Sequence, residues 1–361
     1  METLLPDSYR GIGTEELKGR IRAMRDRLGK RLVVLTHHYQ RQEIVDLGDF
    51  RGDSYGLSLE ASRQENAEFI VFCGVHFMAE SAAILARQGQ MVFHPDFTAG
   101  CPMADMADVN DVERAYEELG KVINTTNLIP LTYMNSDARL KAFCGKRGGA
   151  VVTSSNSQAG FKWAFERAEK IFFFPDEHLG RNTADKRGIP QNELVLWNPA
   201  EEMGGNEPED YRKARVILWK GFCHVHTHFT PEHVRKVREE HPGVRVIVHP
   251  ECVREVVKLA DADGSTEFIV NYVKNASPGS VIAIGTEINL VERLARAHPD
   301  KKVFPLSRSL CPNMFKISLN NLCHTLENLP NVNRVIVEEP TRSEALAALK
   351  RMLEIKTISA D

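Results

Sequence analysis

Three cysteines of this chain, Cys101, Cys223 and Cys311, close three segments that repeat one another in residue type and order. Thiols this far apart in sequence fit neither the close pairs of structural zinc sites nor the compact runs of ferredoxins. Delivered from three loops, they can still share a zinc ion or an iron–sulfur cluster. A four-iron cluster on three thiolates keeps one iron open, and an open iron is a Lewis acid for a substrate hydroxyl or carboxylate. Each segment also carries a polar pair two residues apart: His37 and Tyr39, Tyr133 and Asn135, His249 and Glu251. On an extended chain that spacing presents both side chains to one side. Imidazole, phenol and carboxylate are the usual agents of proton transfer. A hydroxyl-bearing loop then follows in each copy, at Gly52-Asp53-Ser54, Ser154-Ser155-Asn156 and Gly264-Ser265-Thr266. Hydroxyls there cap helices, and a helix N-terminus receives anions. Three of them suit a small substrate bearing carboxylates and phosphate.

The run His224-Val225-His226-Thr227-His228 offers a rival chemistry. On a strand its three imidazoles share a face and could bind zinc, as in a hydrolase. No companion set of carboxylates stands at another strand end, and the run lies where the second copy delivers its cysteine. In the milder reading, His226 alone lines the cleft. Cys73, Cys144 and Cys323 read as core fillers. Cys252, beside Glu251, is open to either role.

These groups meet only if short strands end at a common edge. Apolar runs at Leu32–Leu35, Phe69–Phe72 and Val92-Phe93 read as strands of the first copy. Leu128–Leu131, Ile171–Phe174 and Val216–Leu218 serve the second, and Val244–Val248, Val281–Ile284 and Val303-Phe304 the third. Helical stretches alternate with them at Glu15–Leu28, Ser54–Arg63, Phe77–Arg87, Ala159–Arg167, Pro231–His241, Val253–Ala260 and Ile288–His298. Such alternation predicts an α/β protein with parallel sheets, whose all-apolar strands are covered on both faces. Ligands in such sheets bind beyond the carboxyl ends of the strands. Three domains follow from the repeat: 1–108 with an N-terminal helix, 109–228 with an insertion near 182–215, and 229–361. The last ends in a helix, a strand at Val332–Val337 and a helix at Ser343–Leu353, a tail expected to pack back on one of the domains.

Composition sets the outer bounds. The 361 residues are 42% hydrophobic and 26% charged with a net charge of −3, values of an ordinary globular chain. The absence of a long basic run argues against nucleic acid as a partner. No stretch approaches the ~20 apolar residues of a membrane span, and Met1–Arg10 has no signal-peptide core. A cytoplasmic location without membrane partners is expected. Seven cysteines without tight pairing suit a reducing compartment, where thiols are free, catalytic or metal-bound.

Read in order, LTHHYQ (35–40), GDSYGLS (52–58), CPMADM (101–106), YMNSDA (133–138) and VTSSNS (152–157) resemble the quinolinate synthase family. So do FPDEHLGRNTA (174–184), WKGFCHVHTHF (219–229), VHPEC (248–252), IGTEINL (284–290) and SLCPNM (309–314). The resemblance runs from about residue 20 to residue 325. It implies three α/β/α sandwich domains around a pseudo-threefold axis with the active site at the centre. It implies one [4Fe-4S] cluster per chain, held by Cys101, Cys223 and Cys311. The implied reaction is a transferase-type condensation and dehydration of NAD biosynthesis. Iminoaspartate and dihydroxyacetone phosphate give quinolinate, phosphate and two waters, and transient coupling to an aspartate-oxidising enzyme would supply the first substrate. The implied substrate-binding residues are His37, Ser54, Tyr133, Asn135, Ser154, His226, His249, Glu251, Ser265 and Thr266. Glu251 is the expected base, with His249, Tyr39 and Tyr133 in proton transfer and orientation. Some relatives carry three cysteines near the last ligand; here those positions are Pro305, Arg308 and Cys311, so no thiol–disulfide switch is expected. An open-iron dehydratase of another kind and a non-catalytic iron–sulfur sensor are the remaining alternatives.

Overall fold

The structure, a computed structural model, describes residues 5–355. Three short sheets carry the fold. The first contains β1 (Leu32–His37), β2 (Phe50–Gly52), β3 (Phe69–Cys73) and β4 (Met91–Phe93). The second contains β5 (Leu128–Tyr133), β6 (Ala150–Val152), β7 (Lys170–Phe174), β8 (Leu194–Trp197) and β9 (Val216–Trp219). The third contains β10 (Arg245–Val248), β11 (Ala262–Asp263), β12 (Val281–Gly285) and β13 (Lys302–Pro305). A last strand, β14 (Arg334–Val335), pairs antiparallel with β4 at the edge of the first sheet.

All pairings within the three copies are parallel, and the strand order is the same in each. It runs β2-β1-β3-β4, β6-β5-β7-β9 and β11-β10-β12-β13. The insertion of the second copy adds β8 beyond β9, again parallel. Every residue of β1, β3 and β9 is buried. Strands covered on both faces need apolar side chains at every position, not at alternate ones, which is why these segments read as unbroken apolar runs. In each copy the chain leaves the first strand to one side and returns to pair on its other side. The ends of β1/β3, β5/β7 and β10/β12 therefore form topological switch points, where such sheets open a crevice for ligands.

The chain divides into two compact units. One comprises the residues up to Cys101 together with Leu310–Glu338; the other comprises Pro102–Ser309 and the residues from Glu339 on. The first unit contains the first sheet and β14. Its core joins Leu17, Ile21 and Met24 to Val34, Val71 and Phe93, and to Ile317, Leu322 and Leu326 from the far end of the chain. The second unit contains the other two sheets. The terminal helix Thr341–Glu354 buries Ala345, Ala348, Leu349 and Met352 and packs on the helix Ala138–Lys146 and on β6. The close approach depends on Gly145, where a Cβ would stand 1.8 Å from the Glu344 carbonyl oxygen. Among the described residues no helix is long and apolar enough to cross a membrane.

Candidate functional site

In the second unit the groups expected to do chemistry meet at the carboxyl ends of β5, β10 and β12. Tyr133 is the last residue of β5, and its hydroxyl donates to Glu251 Oε1. The other Glu251 oxygen lies 2.7 Å from His226 Nδ1. A carboxylate can only accept, so Nδ1 carries the proton and Nε2 faces the Thr286 hydroxyl at 3.1 Å. The His249 ring stacks on the His226 ring, with centroids 4.3 Å apart. Tyr133, His226, His249, Glu251 and Thr286 are all buried. Cys223, His226 and Glu251 each bring one ligand-type atom within 4.8 Å of the others. One of the three expected cluster cysteines therefore adjoins the acid–base network directly.

Electrostatics divides the roles. Burial alone would push the Glu251 carboxyl up, but His226, His249 once protonated in acid, and the Tyr133 hydroxyl outweigh it and hold the group below the usual carboxylate range. Burial, reinforced by the neighbouring His226, brings His249 down to about 3, so its ring is neutral at ordinary pH. Asp176 follows β7 and is fully buried. It accepts at Oδ1 from the Leu179 amide, while its Oδ2 has no hydrogen-bond partner. Burial, with the Glu251 charge added, pushes it well above the ordinary range. The site thus sets one carboxylate held ionised near one carboxyl biased towards its neutral acid.

The polar pairs occupy turns, not extended chain. After β10 the chain bends at once, and the Cys252 amide donates to the His249 carbonyl at 3.0 Å. The Glu251 amide then reaches His249 Nδ1 at 3.3 Å. In the first unit the Tyr39 amide reaches His37 Nδ1 in the same way, at 3.2 Å, with ring centroids 4.8 Å apart. An Nδ1 that accepts leaves the proton on Nε2. Both histidines therefore present an N–H, and the spacing of two matters through the backbone as well as through the side chains.

The hydroxyl loops behave unequally. Ser265 caps its helix by accepting from the Phe268 amide at 3.2 Å. Asp53, not Ser54, caps the helix of the first copy, accepting from the Gly56 amide at 2.7 Å. In the second copy Asn156 holds the N-cap position without a side-chain cap and turns back to the Thr153 amide at 2.7 Å. Ser154 and Ser265 line a cavity of about 150 Å³ with Asn182, Lys186 and Pro250. Thr266 is buried beside Ser265, and Asn135 is half-buried after β5.

The run from His224 to His228 corrects the zinc reading. His224–Thr227 is a helical turn, so alternate residues point apart: His226 is buried, while His224 and His228 are exposed. β9 ends at Trp219, and Gly221 then passes so close to Pro175 that a Cβ would stand 2.3 Å from its carbonyl oxygen. That turn ends the strand before the histidines begin. His226 keeps its place in the site; the other two do not join it.

The cysteines separate by environment. Cys101, Cys223 and Cys311 are partly exposed, whereas Cys73, Cys144, Cys252 and Cys323 are buried. Burial raises the thiols of the second group, Cys73 to about 12 and Cys323 to about 11. A cluster binds thiolates, so the chemistry of this set fits a three-cysteine cluster at the first group and disfavours the second. Cys101 and Cys311 belong to the first unit and Cys223 to the second. In the first unit, His37 is buried, and Tyr39 and Ser54 are half-buried.

Asp176 and Thr286 escape a reading confined to first-strand ends. The missed signal is topological: they follow β7 and β12, the other halves of the switch points.

A family model described as Quinolinate synthetase A protein matches residues 19–354. The chain is 50% identical to a quinolinate synthase of Rhodopirellula baltica, over 96% of this chain and 93% of that protein. It is 51% identical to a quinolinate synthase of Acidobacterium capsulatum, over 97% and 96%. With a quinolinate synthase of Corynebacterium glutamicum the identity is 47%, over 98% and 91%.

Proposed function

The chain belongs to the quinolinate synthase family, and on that premise we propose that it condenses iminoaspartate with dihydroxyacetone phosphate to quinolinate, releasing phosphate and two waters. The observation that carries this reading is that the Cys223 thiol lies within 4.8 Å of ligand-type atoms of His226 and Glu251, the latter also held by Tyr133. A thiol this near to acid–base groups supports a cluster ligand working beside them. Cys101, Cys223 and Cys311 would hold one [4Fe-4S] cluster, which when bound supplies an open iron as Lewis acid for the last hydroxyl to leave. The reaction is a transferase-type condensation followed by dehydration, placed in the cytoplasm, with iminoaspartate supplied by an aspartate-oxidising enzyme.

The side chains divide the remaining work. The enamine carbon of iminoaspartate forms a bond to the phosphate-bearing carbon, and that carbon's bond to the phosphate oxygen breaks. Helix starts and hydroxyls at Ser54, Ser154, Ser265 and Thr266 receive the anionic groups. Asn135 and the Nε2–H of His37 and of His249 donate to substrate oxygens. His249 stays neutral and orients without giving up its proton. Tyr39 moves a proton during isomerisation of the carbonyl and the neighbouring hydroxyl. Glu251 takes a C–H or N–H proton, with His226 fixing its second oxygen. Tyr133 is freed as Glu251 is protonated and turns its hydroxyl to a developing oxyanion. Ring closure by the nitrogen onto the carbonyl expels that oxygen as one water, and loss of the remaining hydroxyl as the second completes the aromatic product.

An anaerobic preparation tests this. About four irons per chain and quinolinate formed from the two named substrates are expected. One zinc per chain, or iron without product, overturns the proposal.

A further inference from the structure

The turn that carries Glu251 is buried throughout: His249, Pro250, Glu251 and Cys252 all lie inside the second unit. Buried carbonyls need partners, and two in this turn find the same one. Asn182 Nδ2 donates to the Pro250 carbonyl at 2.9 Å and to the Cys252 carbonyl at 2.8 Å. These carbonyls flank Glu251 on both sides. A planar amide nitrogen with two hydrogens can span them; an aspartate offers no donor, and a serine offers one.

Asn182 is itself firmly placed. It is buried in the helix Glu177–Lys186, which Asp176 caps. The same helix face reaches the third-sheet segment twice more. Asp185 pairs with Arg254, and Lys186 lies 2.5 Å from Asp263. Residues 182, 185 and 186 are neighbours on one helix face, so one rigid element of the second copy holds a turn of the third.

We propose that Asn182 is a positioning residue for Glu251. By fixing the carbonyls on either side, it sets where the carboxylate stands relative to Tyr133 and His226. Among the described residues the hydrogen bonds of its Nδ2 go to these two carbonyls and not to Tyr133, His226 or Glu251 side chains. The inference rests on the role given to Glu251 above. Misplacing a proton acceptor by about 1 Å costs on the order of a hundredfold in rate.

The test compares Asn182→Ala with Asp185→Ala in the anaerobic holoenzyme. Asp185→Ala removes the neighbouring ion pair to Arg254, just beyond the turn, and leaves both Asn182 bonds to the turn carbonyls in place. Hydrogen exchange of the turn amides at residues 249–252, read from overlapping peptides that exclude Arg254, should rise about tenfold or more in Asn182→Ala and stay near wild type in Asp185→Ala. Asn182→Ser, keeping one donor, should fall between. Turnover should drop about ten- to a hundredfold in Asn182→Ala at little-changed KM and normal iron content. Unchanged exchange in Asn182→Ala, or equal losses in both variants, overturns the positioning role. A wild-type chain that makes no quinolinate instead overturns the functional reading, and the exchange experiment tells the two failures apart.

Discussion

Replacing Glu251 by Gln isolates the charge of the central carboxylate at almost constant volume. The carboxylate accepts from Tyr133 and from His226 Nδ1, the latter at 2.7 Å. A glutamine can serve both: its oxygen accepts from His226, and its NH₂ donates to the Tyr133 oxygen. The charge-assisted bonds weaken by about 1–2 kcal/mol each, and release of a buried charge offsets much of that. Net stability should therefore move by no more than about 2 kcal/mol in either direction. Proton affinity cannot be rebuilt, because an amide is no useful base. Losing a general base costs about 10²–10⁴ in rate, or roughly 3–5 kcal/mol of barrier. Tyr133→Phe removes one bond to a charged acceptor, about 1.5–3 kcal/mol, equivalent to about ten- to 150-fold. If phenol and carboxylate act as one unit, the double variant should be no slower than Glu251→Gln alone. Anaerobic quinolinate formation, iron content and thermal melting of the four proteins provide the assay. A Glu251→Gln protein with normal iron and turnover within about threefold of wild type would refute its role as base. Two fully multiplicative losses would refute the coupling.

Cys101→Ala should abolish stable cluster binding, whereas Cys73→Ala should keep it. Iron and sulfide analysis decides, and normal iron in Cys101→Ala would sink the three-cysteine assignment. Gly145→Ala places a methyl 1.8 Å from the Glu344 carbonyl oxygen, forcing the terminal helix to shift. Overpacking of about 1–3 kcal/mol should exceed the roughly 1 kcal/mol of helix propensity gained. A lower Tm and earlier tryptic cleavage within residues 341–354 are expected, and an unchanged or raised Tm contradicts that packing. His94 is fully buried, and burial lowers it to about 4 from the ordinary 6.5. The unfolded chain therefore binds more protons between those values, and stability present above pH 6.5 is lost as pH falls towards 4. From pH 6.5 to 5 the loss is about 1–2 kcal/mol. Denaturant titrations should show that slope in wild type and a flatter one in His94→Gln, and equal slopes would exclude His94 as its source.

The strands are legible in the sequence because burial on both faces writes each as a continuous apolar run. β3 and β12 lie within a residue of where Phe69–Phe72 and Val281–Ile284 place them. Helices are legible through their amphipathic stripes, as at Ile288–Ala297. The two-residue β14 is not confined by composition: Val332–Val337 reads as a longer strand, and pairing with β4 alone fixes its extent. The helical turn at His224–Thr227 was hidden because alternate histidines imitate a strand, while the chain direction is set by Gly221 against Pro175. Glu251 and His249 were legible as chemical types at a repeated position. Asn182 was not, since nothing local marks an asparagine inside a helix whose partners are backbone carbonyls 68 and 70 residues away.

The division of the chain into units also bears on its birth at the ribosome. When synthesis reaches Ser309, neither unit is complete. The first lacks Ile317, Leu322 and Leu326 from its core and β14 from its sheet edge. The second lacks the helix that covers Ala138–Lys146. Translation at ~5–20 residues per second leaves both apolar surfaces uncovered for several seconds. Until residues 310–354 have emerged, those surfaces stay open to non-native association. Stop codons late in the reading frame should yield aggregates, not partial enzymes.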